Sequence, residues 1–355
     1  RSMLSPGSIN GLRLRNRGIK TATFEGMAPG GFVSDALIEH HAALGRGGVG
    51  MTTVAYCAVS SRGRTFGDQL WLGEDRMPGL RRLTDAVHAT GAAVSLQLGH
   101  CGGFSKLRLR GEPPLGPSSG WNPYGILSGV PRVRAMTEAE MDSVVDAFST
   151  AARRAVDSGV DAIELHLGHG YLLSQWLSPA VNRRRDAHGG STEARLRFPL
   201  RVVEAVRRAV GTEFPVLAKT NVSDGVAGGV EVDEAVSIAV ALEAAGVDAI
   251  VPSGGLVSQS AFFLLRGARP LGGMIRAERS WAQKAALAMF GPFLVKSYPY
   301  TPMFLFDAAD RVRQAVRIPV VLLAGVTDAA HLDRAAAAGF GFAAMGRALI
   351  ANPAL

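Results

Sequence analysis

Cysteine is nearly absent. Cys57 and Cys101 are the only two in 355 residues, which excludes a disulfide framework and a four-thiolate iron–sulfur cluster and predicts a protein of the reducing cytoplasm. Long apolar runs are missing too. None approaches the ~18 residues needed to span a bilayer, and no apolar stretch follows Arg1 as it would in a signal peptide. Aromatic residues make up only 7% of the chain and no basic run is interleaved with them, so the net charge of +8 lacks the footprint of a nucleic-acid binder. It reads as a solvated basic surface that favours anionic ligands. No G-x-G-x-x-G follows the first strand, which counts against a doubly wound dinucleotide-binding sheet.

What is present is 47% hydrophobic residues, enough for one large core, and a recurring pattern. A helical stretch ends at Gly and an apolar run follows, as in Gly48-Val49-Gly50-Met51, Gly91-Ala92-Ala93-Val94, Gly159-Val160-Asp161-Ala162-Ile163, Gly246-Val247-Asp248-Ala249-Ile250 and Gly339-Phe340-Gly341-Phe342. Gly just past a helix ends it in the left-handed conformation, and a short apolar run reads as a buried parallel strand. Helices are expected over 36–47, 76–90, 137–158, 193–211, 232–245 and 327–338. Strands are expected over 18–24, 49–56, 92–98, 160–166, 215–221, 247–253, 318–324 and 341–345. These alternating units predict an α/β fold, a (β/α)8 TIM barrel occupying residues 1–355 as a single domain. The eighth helix would start at Gly346, and the stretch to Leu355 is short for a closing helix, so that helix is expected to be incomplete.

Two connections are long. Residues 99–136 carry Pro113, Pro114, Pro117, Pro123 and Pro131 and predict an extended, turn-rich lid or surface loop. Residues 254–303 carry large apolar side chains, among them Phe262, Phe263, Trp281, Met289, Phe290 and Phe293. A segment this apolar must bury its side chains, either as a cap over the site or as a subunit contact in a homo-oligomer.

The chemistry concentrates where the fourth strand stops. Val160-Asp161-Ala162-Ile163-Glu164-Leu165 runs directly into His166-Leu167-Gly168-His169-Gly170-Tyr171. The C-terminal ends of barrel strands are the catalytic end. Two neutral imidazoles can donate to one carbonyl or phenolate oxygen and stabilise charge developing there. A neighbouring phenol can supply a proton. On a helix His166 and His169 would share a face and could form half a metal site, but neither Glu164 nor Asp186 completes it and no metal is expected. Gly325, Gly346 and Arg347 follow strands seven and eight, where barrels bind phosphate with backbone N–H groups, and an Arg adds a bidentate charge.

These residues carry a resemblance. His166-x-x-His169-Gly170-Tyr171-Leu172, then Leu177-Ser178-Pro179, Asn182-Arg183-Arg184 and Asp186-x-x-Gly189-Gly190-Ser191, resembles the Old Yellow Enzyme family of FMN-dependent ene-reductases. Leu14-Arg15-Asn16-Arg17, Gln97-Leu98-Gly99-His100, Lys219-Thr220-Asn221, Ser253-Gly254-Gly255, Ala324-Gly325 and Met345-Gly346-Arg347 extend the likeness over most of the chain. The resemblance implies bound FMN, with NADH or NADPH as electron donor and an α,β-unsaturated carbonyl compound as substrate. His166 and His169 would hold the carbonyl oxygen and Tyr171 would protonate the α-carbon. Gln97 would meet the pyrimidine edge of the flavin, Lys219 would place a positive charge beside N1–C2=O, and His100 would contact flavin or substrate.

Three positions depart from the family pattern. Phe24 stands where a Thr or Cys near the flavin C4=O is usual, with Thr23 beside it; Tyr56 stands where a small residue often meets the flavin; and Gly103 replaces a common Arg. The 355 residues hold no iron–sulfur cysteine set like that of the related 2,4-dienoyl-CoA reductases, and the resemblance is read as that of a single-domain member without their second dinucleotide domain. The alternatives are a dehydrogenase or isomerase of the same family, a flavin-free phosphate-binding lyase or isomerase using Lys219, and a non-catalytic binding barrel.

Overall fold

The apolar runs become parallel strands that close on themselves. In the computed structural model, which describes residues 2–107, 111–260, 263–267, 271–278, 281–294 and 297–355, the barrel strands are β1 (Gly18–Lys20), β2 (Met51–Ala58), β3 (Ala93–Gly99), β4 (Ala162–Leu167), β5 (Val216–Ser223), β6 (Ala249–Gly254), β7 (Val321–Leu322) and β8 (Phe342–Met345). Their order around the sheet is β6-β5-β4-β3-β2-β1-β8-β7. A bridge between Ile250 and Val320 joins the two ends and completes the (β/α)8 barrel. Every residue of β2, β4 and β6 is buried, as parallel strands covered on both faces require.

Helices α1 (Asp35–Arg46), α2 (Met77–His88), α3 (Glu138–Asp157), α4 (Leu172–Leu177), α5 (Thr192–Val210) and α6 (Val232–Ala244) alternate with the strands. The longest of them shows why. Thr137 and Glu140 cap α3 reciprocally, and Met141, Val144, Phe148, Ala151, Ala152 and Ala155 recur at helical spacing on its buried side. The glycines expected past the helices take up the left-handed conformation, with φ of 84° at Gly159 and 95° at Gly246.

The two long connections differ from each other. Residues 99–136 build a small three-stranded sheet from Leu115–Gly116, Gly120–Trp121 and Arg132–Ala135, more order than a turn-rich loop implies. Residues 254–303 contain α7 (Leu271–Ala277) and α8 (Trp281–Leu294), which pack on each other. The expectation that this segment buries its apolar side chains is not met within the chain: Trp281, Met289 and Phe290 are exposed. Phe262 lies outside the described residues, as does the side chain of Phe293. The chain then forms α9 (Phe306–Ala315), α10 (Ala329–Ala337) and a short α11 (Arg347–Ala351). Among the described residues no helix is long and apolar enough to cross a membrane.

Candidate active site

A cavity of about 630 Å³ opens at the C-terminal ends of the strands, within the range that holds a cofactor with a small substrate. Thr23, Phe24, Tyr56, Gln97, His166, His169, Tyr171, Lys219, Gly325, Gly346 and Arg347 all line it. His100 does not. Alternation along β3 turns Gln97 toward the barrel axis, and one residue beyond the strand the His100 ring turns away. It lines a separate cavity with Arg62 and Glu112, and its Nδ1 accepts from Gly102 N–H at 3.0 Å. Gly99, the residue between, is where a side chain would collide with the Tyr56 ring.

One end of the cavity carries the imidazoles and the phenol. The His166 and His169 rings lie 5.0 Å apart, and the Tyr171 ring lies 4.7 Å from His166. Tyr171 stacks on Tyr56, also at 4.7 Å, and meets Phe104 edge-on. The Tyr56 hydroxyl is tied to the Gly63 carbonyl at 2.9 Å, so the stack is fixed from behind. His169 has φ of 62°, unusual for a residue with a side chain. Asn221 holds it there by accepting from His169 N–H at 3.0 Å while its own amide donates to Asp224 and the Gly255 carbonyl. Ser253 Oγ engages His169 Nε2 at 2.7 Å. Neither nitrogen of His166 has a partner among the described residues, and its Nδ1 is fully buried.

Burial sets the charge state of this end. It pushes the His166 imidazolium well below its usual range, with His169 and Lys219 adding to the effect. It pushes His169 down to about 3, again with help from Lys219. Both rings are therefore neutral at pH 7. Burial raises the Tyr171 phenol, so it keeps its proton. The folded rings resist protonation that an unfolded chain accepts near the ordinary value of 6.5. Their contribution to stability is complete above that pH and is lost progressively below it. In histidine-labelled protein, the ring resonances of His166 and His169 are expected to stay constant from about pH 8 to about pH 5. A midpoint within that interval for either ring would show that the site is wetter than its packing implies.

The wall between the two ends is ionic. Lys219 Nζ lies 2.9 Å from Glu164 Oε1 and donates to Thr21 Oγ1 at 2.9 Å, and Gln97 Nε2 donates to the same Glu164 oxygen at 2.7 Å. Register explains the cluster, because Gln97 sits beside Glu164 and Lys219 beside His166 on neighbouring strands. The charge expected of Lys219 is thus already countered by Glu164, a residue that sequence reasoning set aside. Its signal was available: in a strand of period two, Glu164 shares a face with His166. Outside the barrel wall Lys20 pairs with Glu25 at 2.8 Å, and His41 Nδ1 meets Thr52 Oγ1 at 2.7 Å. These contacts anchor the segment that brings Thr21, Thr23 and Phe24 to the cavity. Phe24 sits at the rim, more than half exposed and edge-on to Phe66.

The opposite end suits a phosphate. Ala324 and Gly325 both have positive φ, 81° and 74°, a strained turn of the kind kept at functional sites. The backbone N–H groups of Gly325, Val326 and Gly346 make no hydrogen bond among the described residues. Arg347 lines the same end, and its Nη2 donates to the Arg266 carbonyl at 3.4 Å. A side chain at Gly325 would drive into the Met303 backbone, 2.5 Å from its Cβ. Free backbone donors and a guanidinium at one end, a polar wall in the middle and paired neutral imidazoles at the other fit FMN with a substrate beside it.

A TIM barrel built this way defines a flavin-dependent oxidoreductase of the Old Yellow Enzyme type. Residues 2–260 match the NADH:flavin oxidoreductase / NADH oxidase family, and the chain belongs to it. It is an NAD(P)H-dependent flavin oxidoreductase with FMN as its cofactor. Over its whole length it is 44% identical to the 4,4'-dithiodibutanoate disulfide reductase of Rhodococcus erythropolis, covering 87% of that protein. It is 32% identical to the NADH oxidase of Thermoanaerobacter brockii across 99% of this chain but only half of that longer protein. In fold it is similar to the old yellow enzyme homologue from Zymomonas mobilis, with a TM-score of 0.77 at 19% identity over 99% of this chain and 90% of that one.

Proposed function

We propose that the enzyme reduces activated C=C bonds of α,β-unsaturated carbonyl compounds with NADH or NADPH. One observation carries this reading: His166, whose buried Nδ1 has no partner among the described residues, shares one wall of the cavity with His169 and Tyr171. Gly325, Gly346 and Arg347 would hold the phosphate of FMN, and Gln97 and Lys219 would face its ring. When bound, FMN supplies two-electron hydride chemistry between the nicotinamide and the substrate β-carbon. His166 and His169 hold the substrate oxygen as neutral donors and stabilise the negative charge that grows on it. Tyr171 releases its proton to the α-carbon, so that one hydride and one proton saturate the bond. Phe24 at the rim and Tyr56 beneath Tyr171 keep water from the reacting atoms.

The test uses His166→Ala and His169→Ala. Each is expected to retain FMN, to weaken binding of a simple phenol, and to slow flavin reoxidation by an enone by about 2–4 kcal/mol of transition-state stabilisation. A phenol titration that matches wild type would reject the oxyanion role, and loss of FMN would make the rings structural.

The full-length likeness to a disulfide reductase favours a second reading. Hydride would attack one sulfur of a disulfide, the S–S bond would break, and the other sulfur would leave as thiolate. The enzyme's own thiols are poor relays for that reaction. Cys57 and Cys101 are both buried, and burial pushes the Cys101 thiol up to about 12. The thiolate needs no acid at carbon, so disulfide turnover would depend little on Tyr171.

A further inference from the structure

Residue Arg266 comes from the long segment after β6, far in sequence from either phosphate turn, yet it lines the same cavity. Its guanidinium lies 4.1 Å from the Phe304 ring centroid and 5.2 Å from that of Phe263. Its Nε donates to the Phe263 carbonyl at 3.3 Å and its Nη1 to Thr301 Oγ1 at 3.4 Å. Thr301 is the neighbour of Gly325: its carbonyl oxygen lies 3.2 Å from where a Gly325 Cβ would sit. The Arg266 carbonyl in turn accepts from Arg347 Nη2 at 3.4 Å. Both arginines therefore line the end of the cavity where the N–H groups of Gly325, Val326 and Gly346, unpartnered among the described residues, lie. Neither is in an ion pair with a carboxylate among the described residues. A partly desolvated guanidinium with no carboxylate beside it is stabilised by an anion that enters the site. Stacking against two aromatic rings holds the Arg266 fork flat and leaves N–H groups free to donate.

We propose that Arg266 is a second phosphate ligand of FMN, so that the segment after β6 contributes directly to cofactor affinity. A pair of guanidiniums with several backbone N–H groups matches a phosphate dianion better than one arginine does. The inference rests on FMN occupying the cavity with its phosphate at the β7–β8 end.

The experiment compares FMN with riboflavin, which lacks only the phosphate. Holoenzyme is diluted and flavin release is followed by fluorescence. The deflavinated full chain is then titrated with each flavin. In Arg266→Ala the dissociation constant for FMN is expected to rise about ten- to a hundredfold, as for loss of a charge-assisted hydrogen bond. Riboflavin binding should stay unchanged. Arg266→Lys, which keeps the charge and the stem but not the fork, should fall between. Equal weakening toward both flavins would mean that Arg266 only packs its loop, and an unchanged FMN constant would mean that it serves another anion; either result overturns the proposal. If wild-type protein failed to distinguish FMN from riboflavin, the placement of the phosphate itself would fall. If wild type distinguished them and Arg266→Ala did so equally well, only the role of Arg266 would fall.

Discussion

Lys219→Met is expected to cost about 3–5 kcal/mol of folding stability, the range for breaking a buried ion pair from one side. Lys219 and Glu164 are both buried, and Lys219 is the cation 2.9 Å from the carboxylate. Removing it leaves Glu164 with the Gln97 amide as its hydrogen-bond donor. Adding Glu164→Leu should recover most of the stability, since an apolar pair of similar volume can replace a buried ion pair. Chemical denaturation of wild type, the single variant and the double variant measures the loss and the recovery. A single variant as stable as wild type would mean that water reaches the pair. The same series bears on redox chemistry. If Lys219 acts on the flavin as a lone positive charge, replacing both residues should lower the flavin potential, because that charge is lost. If the pair acts as a neutral unit, Lys219→Met combined with Glu164→Leu should leave the potential close to wild type.

How the site assembles explains what the amino-acid sequence reveals and what it hides. Strand positions were readable because the signal is local: a helix ends at Gly and an apolar run follows, and Gly159 and Gly246 take the backbone conformation that the pattern demands. His166, His169 and Tyr171 were readable because they follow one strand directly. Glu164 was harder. Period two tells that it shares a face with His166, but its partners come from β3 and β5, and pairing across strands depends on register. His100 misled because Gln97-Leu98-Gly99-His100 reads as one motif while the chain leaves the strand after Gly99. Arg266 carried no signal at all. It lies outside α7 and α8 in a long connection, and its place at the Gly325 end of the cavity depends on Thr301 and Phe304 approaching from the far end of that connection. The exposed Trp281, Met289 and Phe290 show the same limit from the other side. Their apolar character is plain from sequence, but nothing local says that the chain leaves them uncovered.

Tyr171→Phe is expected to slow flavin reoxidation by an enone about 10²–10⁴-fold while leaving flavin reduction by NAD(P)H nearly untouched. The change removes one oxygen and keeps the ring. Packing should therefore survive, because the stack on Tyr56 and the edge contact with Phe104 involve the ring alone. Burial raises the phenol, so the hydroxyl stays protonated across the working pH range and, as the proposed acid, would deliver its proton only when a basic carbon forms beside it. It follows that the rate of the wild-type enzyme should show no dependence on Tyr171 ionisation near neutral pH. Acceptors whose reduced anions persist in water, such as nitroalkenes, should lose much less, because solvent can supply the proton after release. A disulfide acceptor should lose least, since a thiolate needs no protonation at carbon. Stopped-flow measurement of both half-reactions with an enone, a nitroalkene and a small dicarboxylic disulfide separates these cases. A graded loss in that order supports Tyr171 as the acid. Equal loss with all three acceptors, or equal loss in both half-reactions, would point to disturbed packing around Tyr56. Full activity toward the enone would mean that another group or water delivers the proton, and disulfide turnover far above that of any enone would make S–S cleavage the better account of the site.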